Sequence, residues 1–232
     1  DAGYLKLWGA ALAGAVNTLY RGANGLFEGT STDFQGATNA IVSAVNAHRP
    51  DFPWRFAEIA ILGTGGSAQT LAVGFAATEL EPMPKRVSIH GRNLEKAQAV
   101  AEIARQNLKP GRELSYGALD DWSAPSNHPR IVCQTTTVGM ATGGSPDLSP
   151  VPAGTVAGVD VAFDLVYKPH VTRFLSDAFE HGALAVHGID MLVGQGAQAL
   201  LHWLDASAGV VDADLPGICL AMEAALRERG VF

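Results

Sequence analysis

Short apolar runs alternate with longer amphipathic segments along most of this chain. The apolar runs at 57–62 and 85–90 each precede a segment with helical spacing of apolar residues, 69–80 and 94–106 respectively. The same patterns predict strands at 130–134, 156–163 and 183–187, and helices at 171–181, 190–204 and 215–229. Repetition of strand and helix predicts an α/β fold, a doubly wound parallel sheet with helices on both faces.

The first 50 residues follow a different pattern. Residues 15–20 are strand-like, 22–25 are typical of a hairpin turn, and 25–32 lead into a helix predicted at 34–47. Residues 49–53 contain two prolines and are typical of a linker. We therefore expect a domain boundary in or around the 34–47 helix.

One glycine-rich turn joins the strand at 57–62 to the following helix. Residues 63–68 are GTGGSA and match the G-x-G-x-x-G/A pattern of dinucleotide-binding turns. Gly63 permits the tight turn, Gly65 lets the backbone approach a pyrophosphate, and Ala68 lets the helix pack close to the strand. The free N–H groups and the positive end of the helix dipole would face the phosphates. The turn predicts a dinucleotide site.

The end of the next strand indicates which dinucleotide is bound. An NAD-selective site usually has an acidic residue here that accepts from the ribose 2′-OH, and none is present. Arg92 stands there instead, with Asn93 beside it and Lys96 shortly after. These groups favour the 2′-phosphate of NADP. The alternative is that Arg92 and Lys96 are solvated charges at the start of a helix.

Composition excludes several other classes of function. The chain of 232 residues has 16 basic and 23 acidic residues, a net charge of −7, without a basic cluster, so nucleic acid is not its expected partner. Its two cysteines form no C-x-x-C motif and its seven histidines are scattered, so neither a disulfide framework nor a metal site is expected. No apolar run approaches the roughly 20 residues that span a bilayer, and the first residues resemble no signal peptide. We expect a cytoplasmic protein.

Seven blocks of the sequence, in this order and spacing, resemble the shikimate dehydrogenases. They are GAVNTL at 14–19, GTSTDFQG at 29–36, GTGGSA at 63–68, GRN at 91–93, TTTVGM at 135–140, DLVYKP at 164–169 and GIDMLVGQ at 188–195. The resemblance implies reversible, NADP-linked hydride transfer between shikimate and 3-dehydroshikimate. It also implies that 1–47 is the remainder of an α/β substrate-binding domain, 48–188 a Rossmann-type NADP domain, and 189–232 helices that return to the substrate domain.

The resemblance assigns a role to individual residues. Asn17 and Asp33 would bind substrate hydroxyls, and Asp33 would also partner a catalytic lysine in proton transfer. Tyr167 and Gln195 would help to hold the substrate. The residues that would line the NADP site are Gly63, Thr64, Gly65, Gly66, Ser67, Arg92, Asn93, Lys96, Thr136, Leu165 and Gly188.

Each substrate residue also has a purely structural interpretation. Asn17 could satisfy the backbone of a turn, and Asp33 could cap the helix that begins near Phe34. Tyr167 could be an aromatic residue at the edge of a loop, and Gln195 a solvated helix residue. The threonines at 135–137 are also good strand sequence. His90 and His187 end strands, and we interpret them as ordinary strand-end residues.

The sequence departs from the family pattern in several places. The family's catalytic lysine lies in an N-V-T-x-P-x-K segment that would fall before residue 1, and Lys6 is too close to Asn17 to replace it. Two substrate-binding serines of the family are absent too. The chain has no initiator Met, and its first residues read as the middle of a helix, so we expect the protein to extend upstream.

Two further departures bear on the choice of ligand. Ser31 and Gly91 each stand where the family usually has Asn, which weakens the expectation for the substrate and for the adenosine contact. A quinate-type dehydrogenase and a non-catalytic ligand-sensing protein of the same fold are the alternatives. A monomer or a homodimer is expected.

Overall fold

The computed structural model describes residues 13–22, 25–79, 83–123, 129–142, 145–208 and 214–231. Several sequence predictions fall outside these ranges. They concern the first residues together with Lys6, part of the 22–25 turn and the end of the 69–80 helix.

The elements follow one another in this order. An antiparallel hairpin of β1 (Thr18–Arg21) and β2 (Phe27–Thr30) leads into helix α1 (Asp33–His48). The alternating part then comprises β3 (Glu58–Leu62), α2 (Gly66–Ala77), β4 (Arg86–Gly91), α3 (Leu94–Arg105), β5 (Glu113–Ala118), β6 (Arg130–Gln134), β7 (Val161–Asp164), α4 (Arg173–Glu180) and β8 (Leu184–Val186). The last helices are α5 (Gly188–Ala208) and α6 (Leu215–Glu228), and short 3-10 turns lie at Trp54–Phe56 and Ala153–Val156. None of the helices in the described ranges is both long enough and apolar enough to cross a membrane.

Strands β3 to β8 form one parallel sheet in the order β5-β4-β3-β6-β7-β8. The predicted doubly wound α/β fold is therefore confirmed. The chain leaves β3 in one direction to build β4 and β5, and later returns to the other side of β3 to build β6. In sheets of this kind, ligands bind outside the carboxyl ends of the strands at this point of reversal.

The sheet is apolar on both faces because helices cover both. Ile59, Ile61 and Ile131 point into a cluster with α1, α2 and α3, whereas Ala60 and Val132 point into a second cluster with α4. All five of these residues are fully buried. Burial on both faces explains why β3 reads as an almost continuous apolar run and was easy to predict.

The structure corrects three predictions of secondary structure. Residues 27–30 form β2 rather than an approach to the helix, with Thr30 paired to Thr18. The strand predicted at 156–163 is shorter, since the 3-10 turn and Gly158, at a φ of +86°, occupy its first part. Strand β5 was not predicted at all. It is the edge strand of the sheet and includes exposed or half-buried residues, so it lacks the apolar signal of β3.

Helix α5 packs against α1 at a point where the α1 backbone has no room for a side chain. A Cβ atom on Gly36 of α1 would lie 2.9 Å from Cβ of Gln195, 3.0 Å from its backbone nitrogen and 3.0 Å from the carbonyl oxygen of Met191. Distances of this size to backbone atoms force one helix to move. Gly36 therefore sets how closely α5 approaches α1, and with it the position of Gln195.

The Gly36→Ala substitution is expected to destabilise the protein by about 1 kcal/mol. Overpacking of this kind costs roughly 1–3 kcal/mol, and the gain of about 1 kcal/mol in helix propensity offsets only part of it. The measurement is the free energy of unfolding from urea denaturation.

Gly154→Ala is the matched control for this substitution. Gly154 lies in the 3-10 turn at Ala153–Val156, and a Cβ atom added to it would have no heavy atom within 4 Å. Its substitution should change the free energy of unfolding by less than about 0.5 kcal/mol. Equal stability of the two variants would show that the α1–α5 contact tolerates a methyl group.

Candidate functional site

The glycine turn lies where β3 and β6 diverge. Gly63 has a φ of +131°, and a Cβ atom there would lie 2.3 Å from Oγ1 of Thr135 in the loop after β6. Thr135 is held in this place because its N–H and its hydroxyl both donate to the carbonyl of Leu62, at 2.9 and 2.8 Å. Gly63 thus meets two requirements, a left-handed backbone and a close approach of two loops.

The rest of the turn leaves the N-terminus of α2 open. Gly65 occupies the N-cap position, no side chain caps the helix, and its first turn contains no acidic residue. A Cβ atom on Gly65 would meet no heavy atom within 4 Å, so there is open space on this side of the backbone. Gly65 and Gly66 are exposed. These residues fit the pyrophosphate of a dinucleotide, which needs close backbone approach and unpaired N–H groups.

The end of β4 contacts the same turn. A Cβ atom on Gly91 would lie 2.5 Å from Cγ2 of Thr64, so Gly91 allows the turn to pack on β4. Arg92 and Lys96 are exposed, and the Asn93 side chain accepts from the N–H of Lys96 at 3.0 Å. Asn93 therefore caps α3, with its side-chain NH₂ group still available as a donor. The two exposed cations and the N-terminus of α3 make this corner suitable for a phosphate.

The loop after β6 is held by a buried glutamine. Gln134 donates to the carbonyl of Val138 at 2.9 Å, and its side-chain oxygen accepts from the N–H of Thr136. The hydroxyl of Thr136 accepts from the N–H of Val138 at 3.2 Å. Thr136 thus has a structural task in shaping this loop. Sequence reasoning did not single out Gln134, since a buried amide at a strand end leaves no distinctive pattern.

The loop after β7 and the start of α5 meet at this edge of the sheet. A Cβ atom on Gly188 would lie 2.6 Å from the carbonyl oxygens of Leu165 and Val166, and 2.7 Å from that of Asp164. The N–H of Leu165 donates to the carbonyl of Gln134 at 3.0 Å. Leu165 and Gly188 therefore lie at the carboxyl edge that also carries the glycine turn.

Three of the four predicted substrate residues form one hydrogen-bonded cluster. The Asn17 amide nitrogen lies 2.7 Å from Oδ1 of Asp33 and 3.3 Å from Oε1 of Gln195. The Asn17 side-chain oxygen accepts from the N–H of Thr32 at 3.1 Å. Asn17 thus accepts a hydrogen bond from the backbone, as its structural interpretation predicts. It also links Asp33 to Gln195. Gln195 is half-buried and hydrogen-bonded rather than fully solvated.

Thr32 is the member of this cluster that sequence reasoning missed. Its hydroxyl lies 3.2 Å from Oε1 of Gln195 and 3.1 Å from the Asn17 amide nitrogen. Thr32 is buried and immediately precedes Asp33, so the Thr-Asp pair was the available signal. It occupies the N-cap position of α1 without a side-chain capping bond. The interpretation of Asp33 as the helix cap is therefore wrong, since Asp33 is the first residue of α1.

The second oxygen of Asp33 reaches the glycine turn. Ser67, in the first turn of α2, donates its hydroxyl to Oδ2 of Asp33 at 2.8 Å. Asn17 donates to Oδ1, so each carboxylate oxygen has a donor, one from the end of the hairpin and one from α2. The predicted substrate group and the predicted cofactor loop are therefore in direct contact.

The other candidates lie apart from this cluster. Tyr167 follows β7 at the carboxyl edge, is 41% exposed, and no hydrogen bond between described residues joins it to Asn17, Asp33 or Gln195. His187 stacks on the ring of His170, with centroids 4.2 Å apart, and its Nδ1 lies 2.9 Å from the His170 carbonyl oxygen. His90 packs edge-on to Trp122, and burial lowers its pKa.

Asp164 at the end of β7 supports the loop that carries Leu165. Its two oxygens accept from the N–H of Val166 at 2.9 Å and from the hydroxyl of Thr172 at 2.6 Å. Burial raises the pKa of Asp164 to about 7, and these two hydrogen bonds oppose the rise. The folded protein therefore keeps this carboxyl protonated at a pH at which the unfolded chain has lost the proton.

The raised pKa predicts a pH-dependent stability. The stabilising contribution is complete below about pH 4, the usual pKa of an unfolded Asp, and is lost as the pH rises through about 7. Asp164→Asn keeps a neutral side chain at every pH. We expect its free energy of unfolding, relative to the wild type, to increase by up to about 1.4 kcal/mol per pH unit between pH 4 and 7. Urea titrations at several pH values measure it, and a pH-independent difference would contradict the prediction.

Comparison with known proteins identifies relatives over most of the chain, although no protein-family model matches it. Curated proteins named shikimate dehydrogenase (NADP+) from Gloeothece citriformis and Synechocystis sp. are 32% and 35% identical over 208 and 209 residues. These alignments cover 87% of this chain and 66% of each relative, so the chain spans just under two thirds of their length.

Solved structures agree with these alignments. A shikimate dehydrogenase in complex with NADP+ has a TM-score of 0.71 and 28% identity over 93% of this chain and 68% of its own. The enzyme of Thermus thermophilus, in complex with NADP(H) and shikimate, has a TM-score of 0.67 and 29% identity, covering 94% and 70% of the two chains. By sequence and by fold, this chain is a homologue of the shikimate dehydrogenases over most of its length.

Proposed function

We propose that this protein is an NADP-dependent oxidoreductase that interconverts shikimate and 3-dehydroshikimate. The observation that carries the proposal is the hydrogen bond between Asp33 and Ser67, which joins a cluster suited to a polyhydroxylated ligand to a turn suited to a dinucleotide. The relatives named shikimate dehydrogenase (NADP+) support the choice of reaction and cofactor.

The proposal divides the chain into three parts. Residues 48–188 contain the parallel sheet and would bind NADP, whereas 1–47 and 189–232 would together contribute to the substrate domain. The packing of α1 on α5 supports the joining of the two outer parts, since these helices contact each other closely at Gly36. The proposal also includes small-molecule ligands, a cytoplasmic location and a monomeric or homodimeric state.

Three groups of residues at the carboxyl edge of the sheet would hold the cofactor. The turn from Gly63 to Ser67 would bind the pyrophosphate through backbone N–H groups. Arg92 and Lys96, with the amide of Asn93, would bind the 2′-phosphate. Thr136, Leu165 and Gly188 would line the part of the cleft that approaches the substrate. Bound NADP+ supplies an acceptor for the hydride.

The polar cluster would orient the substrate and remove its proton. Oxidation of an alcohol moves a hydride from the carbinol carbon to the cofactor while the hydroxyl proton passes to a base within hydrogen-bond reach. Asp33 would accept from such a hydroxyl, together with the lysine that the family resemblance implies. Asn17 and Gln195 offer donors and acceptors for further hydroxyls, and Tyr167 would contribute from the loop after β7.

The first prediction from this proposal concerns Arg92. Arg92→Asp should lower the affinity for NADP+ about 10- to 100-fold, because it removes a charge-assisted hydrogen bond and places a negative charge near the 2′-phosphate. The affinity for NAD+, which has no 2′-phosphate, should change much less. Isothermal titration calorimetry with both dinucleotides measures the two affinities.

Arg55→Asp makes the same charge change at a different place. Arg55 lies in the 3-10 turn before β3, at the amino end of the sheet and away from the glycine turn. It should leave the affinity for NADP+ unchanged within about twofold. Equal affinities of Arg92→Asp and wild type for NADP+ would overturn the cofactor assignment.

The second prediction concerns Asp33. Asp33→Asn keeps the shape of the side chain and removes the base, so NADPH formation from shikimate should slow by at least about 100-fold, the lower end for general acid–base groups. The affinity for NADP+ should stay within about threefold of wild type. The measurement is the absorbance of NADPH, using the protein at its full natural length with shikimate and, separately, quinate.

Two outcomes decide between this enzyme and its alternatives. Faster turnover of quinate than of shikimate would reassign the substrate within the same reaction class. Binding of NADP+ without turnover of either acid would overturn the proposed enzyme in favour of a ligand-sensing protein.

A further inference from the structure

Ser67 belongs by position to the cofactor loop and by contact to the substrate cluster. It is the second residue of α2, beside the open N-terminus that fits a pyrophosphate, and it is half-buried. Its hydroxyl donates to Oδ2 of Asp33 at 2.8 Å. The two residues are 34 positions apart in the sequence, so the contact depends on the packing of α1 beside α2.

A serine hydroxyl has a single proton to donate. In the structure that proton goes to Asp33. A pyrophosphate bound at the N-terminus of α2 would bring anionic oxygens to the same hydroxyl, as strong acceptors. Ser67 can then donate its hydrogen bond to the pyrophosphate or to the carboxylate, but not to both.

We propose that Ser67 is a positioning residue through which dinucleotide binding controls the Asp33 carboxylate. Without a dinucleotide, Ser67 occupies Oδ2 and holds the carboxylate against the N-terminus of α2. When the pyrophosphate takes the Ser67 proton, Oδ2 loses its donor, and both of its lone pairs can accept from substrate hydroxyls. Asn17 still donates to Oδ1 and keeps the carboxylate in place. Dinucleotide binding therefore raises the affinity for the polyol.

This inference rests on the proposed function, since it assumes a dinucleotide at α2 and a polyol at Asp33. Its probe is 2′-phospho-ADP-ribose, which has the phosphates of NADP but no nicotinamide. Direct contact between nicotinamide and substrate therefore cannot produce the coupling. In the wild type, saturating probe should raise the affinity for shikimate about 5- to 10-fold, within the usual range of coupling between sites.

Three variants of the protein at its full natural length test the role of the hydroxyl. Ser67→Ala should bind shikimate without the probe about as tightly as the wild type does with it, and the probe should add less than about twofold. Ser67→Thr keeps a hydroxyl and should keep the coupling. Ser176→Ala is the matched control on α4, outside the cleft, and should behave as the wild type. Calorimetric titration with shikimate, with and without the probe, gives the affinities.

A second measurement needs neither substrate nor turnover. The Asn17 side-chain NH₂ donates to Oδ1 of the same carboxylate, so its ¹H–¹⁵N resonances report on Asp33. The probe should shift these resonances in the wild type and in Ser67→Thr, and leave them in place in Ser67→Ala. A merely structural role for Ser67 would not make the shift depend on the hydroxyl.

The outcomes separate this inference from the proposed function. Full coupling and an unchanged Asn17 shift in Ser67→Ala would overturn the inference and leave the proposed enzyme standing. A shift that depends on the hydroxyl, in a protein that does not bind shikimate, would support the inference and overturn the proposed substrate. Failure of the wild type to bind the probe would overturn both.

Discussion

The candidate site depends on how closely the loops approach one another at the carboxyl edge of the sheet, with a glycine at each contact. At Gly63, Gly91 and Gly188, a Cβ atom would come within 2.3 to 2.6 Å of the neighbouring loop. Each of these positions brings a different loop against the next, so the turn after β3, the end of β4 and the start of α5 form one continuous wall. A side chain at any of them would separate two loops and move the groups that they carry. The fold provides a cleft because a glycine on one side of each contact leaves room for the neighbouring loop.

Two kinds of charge are arranged along this wall. Exposed cations, Arg92 and Lys96, lie at the end of β4, and the open N-terminus of α2 lies beside them. The Asp33 carboxylate is held by Ser67, in the first turn of α2, and by Asn17. In the proposed function, an anionic dinucleotide and a hydroxylated acid would therefore meet at one helix terminus. Under the proposed role of Ser67, communication between the two ligands would depend on a single hydrogen bond, the one from Ser67 to Asp33.

Sequence patterns predicted the buried strands more accurately than the exposed ones. Strand β3 is buried on both faces and its apolar run is unmistakable, whereas the edge strand β5 includes exposed or half-buried residues and was missed. Residues 27–30 were misread because only Thr30 of β2 is buried, which leaves no alternation to detect. The start of α2 was placed at residue 69 rather than Gly66, because glycine and serine are weak helix formers that the fold uses here at a turn.

By itself, the sequence determined the α/β class, the glycine turn and the cations at Arg92 and Lys96, because these features are local and are written in spacing and residue type. Only the tertiary structure decided which side chains share the Asp33 carboxylate. The bonds from Asn17 to Asp33 and to Gln195 join residues 16 and 178 positions apart. Hydrogen-bond partners at such separations are set by the packing of α1 on α2 and α5. No local pattern of residues contains that information.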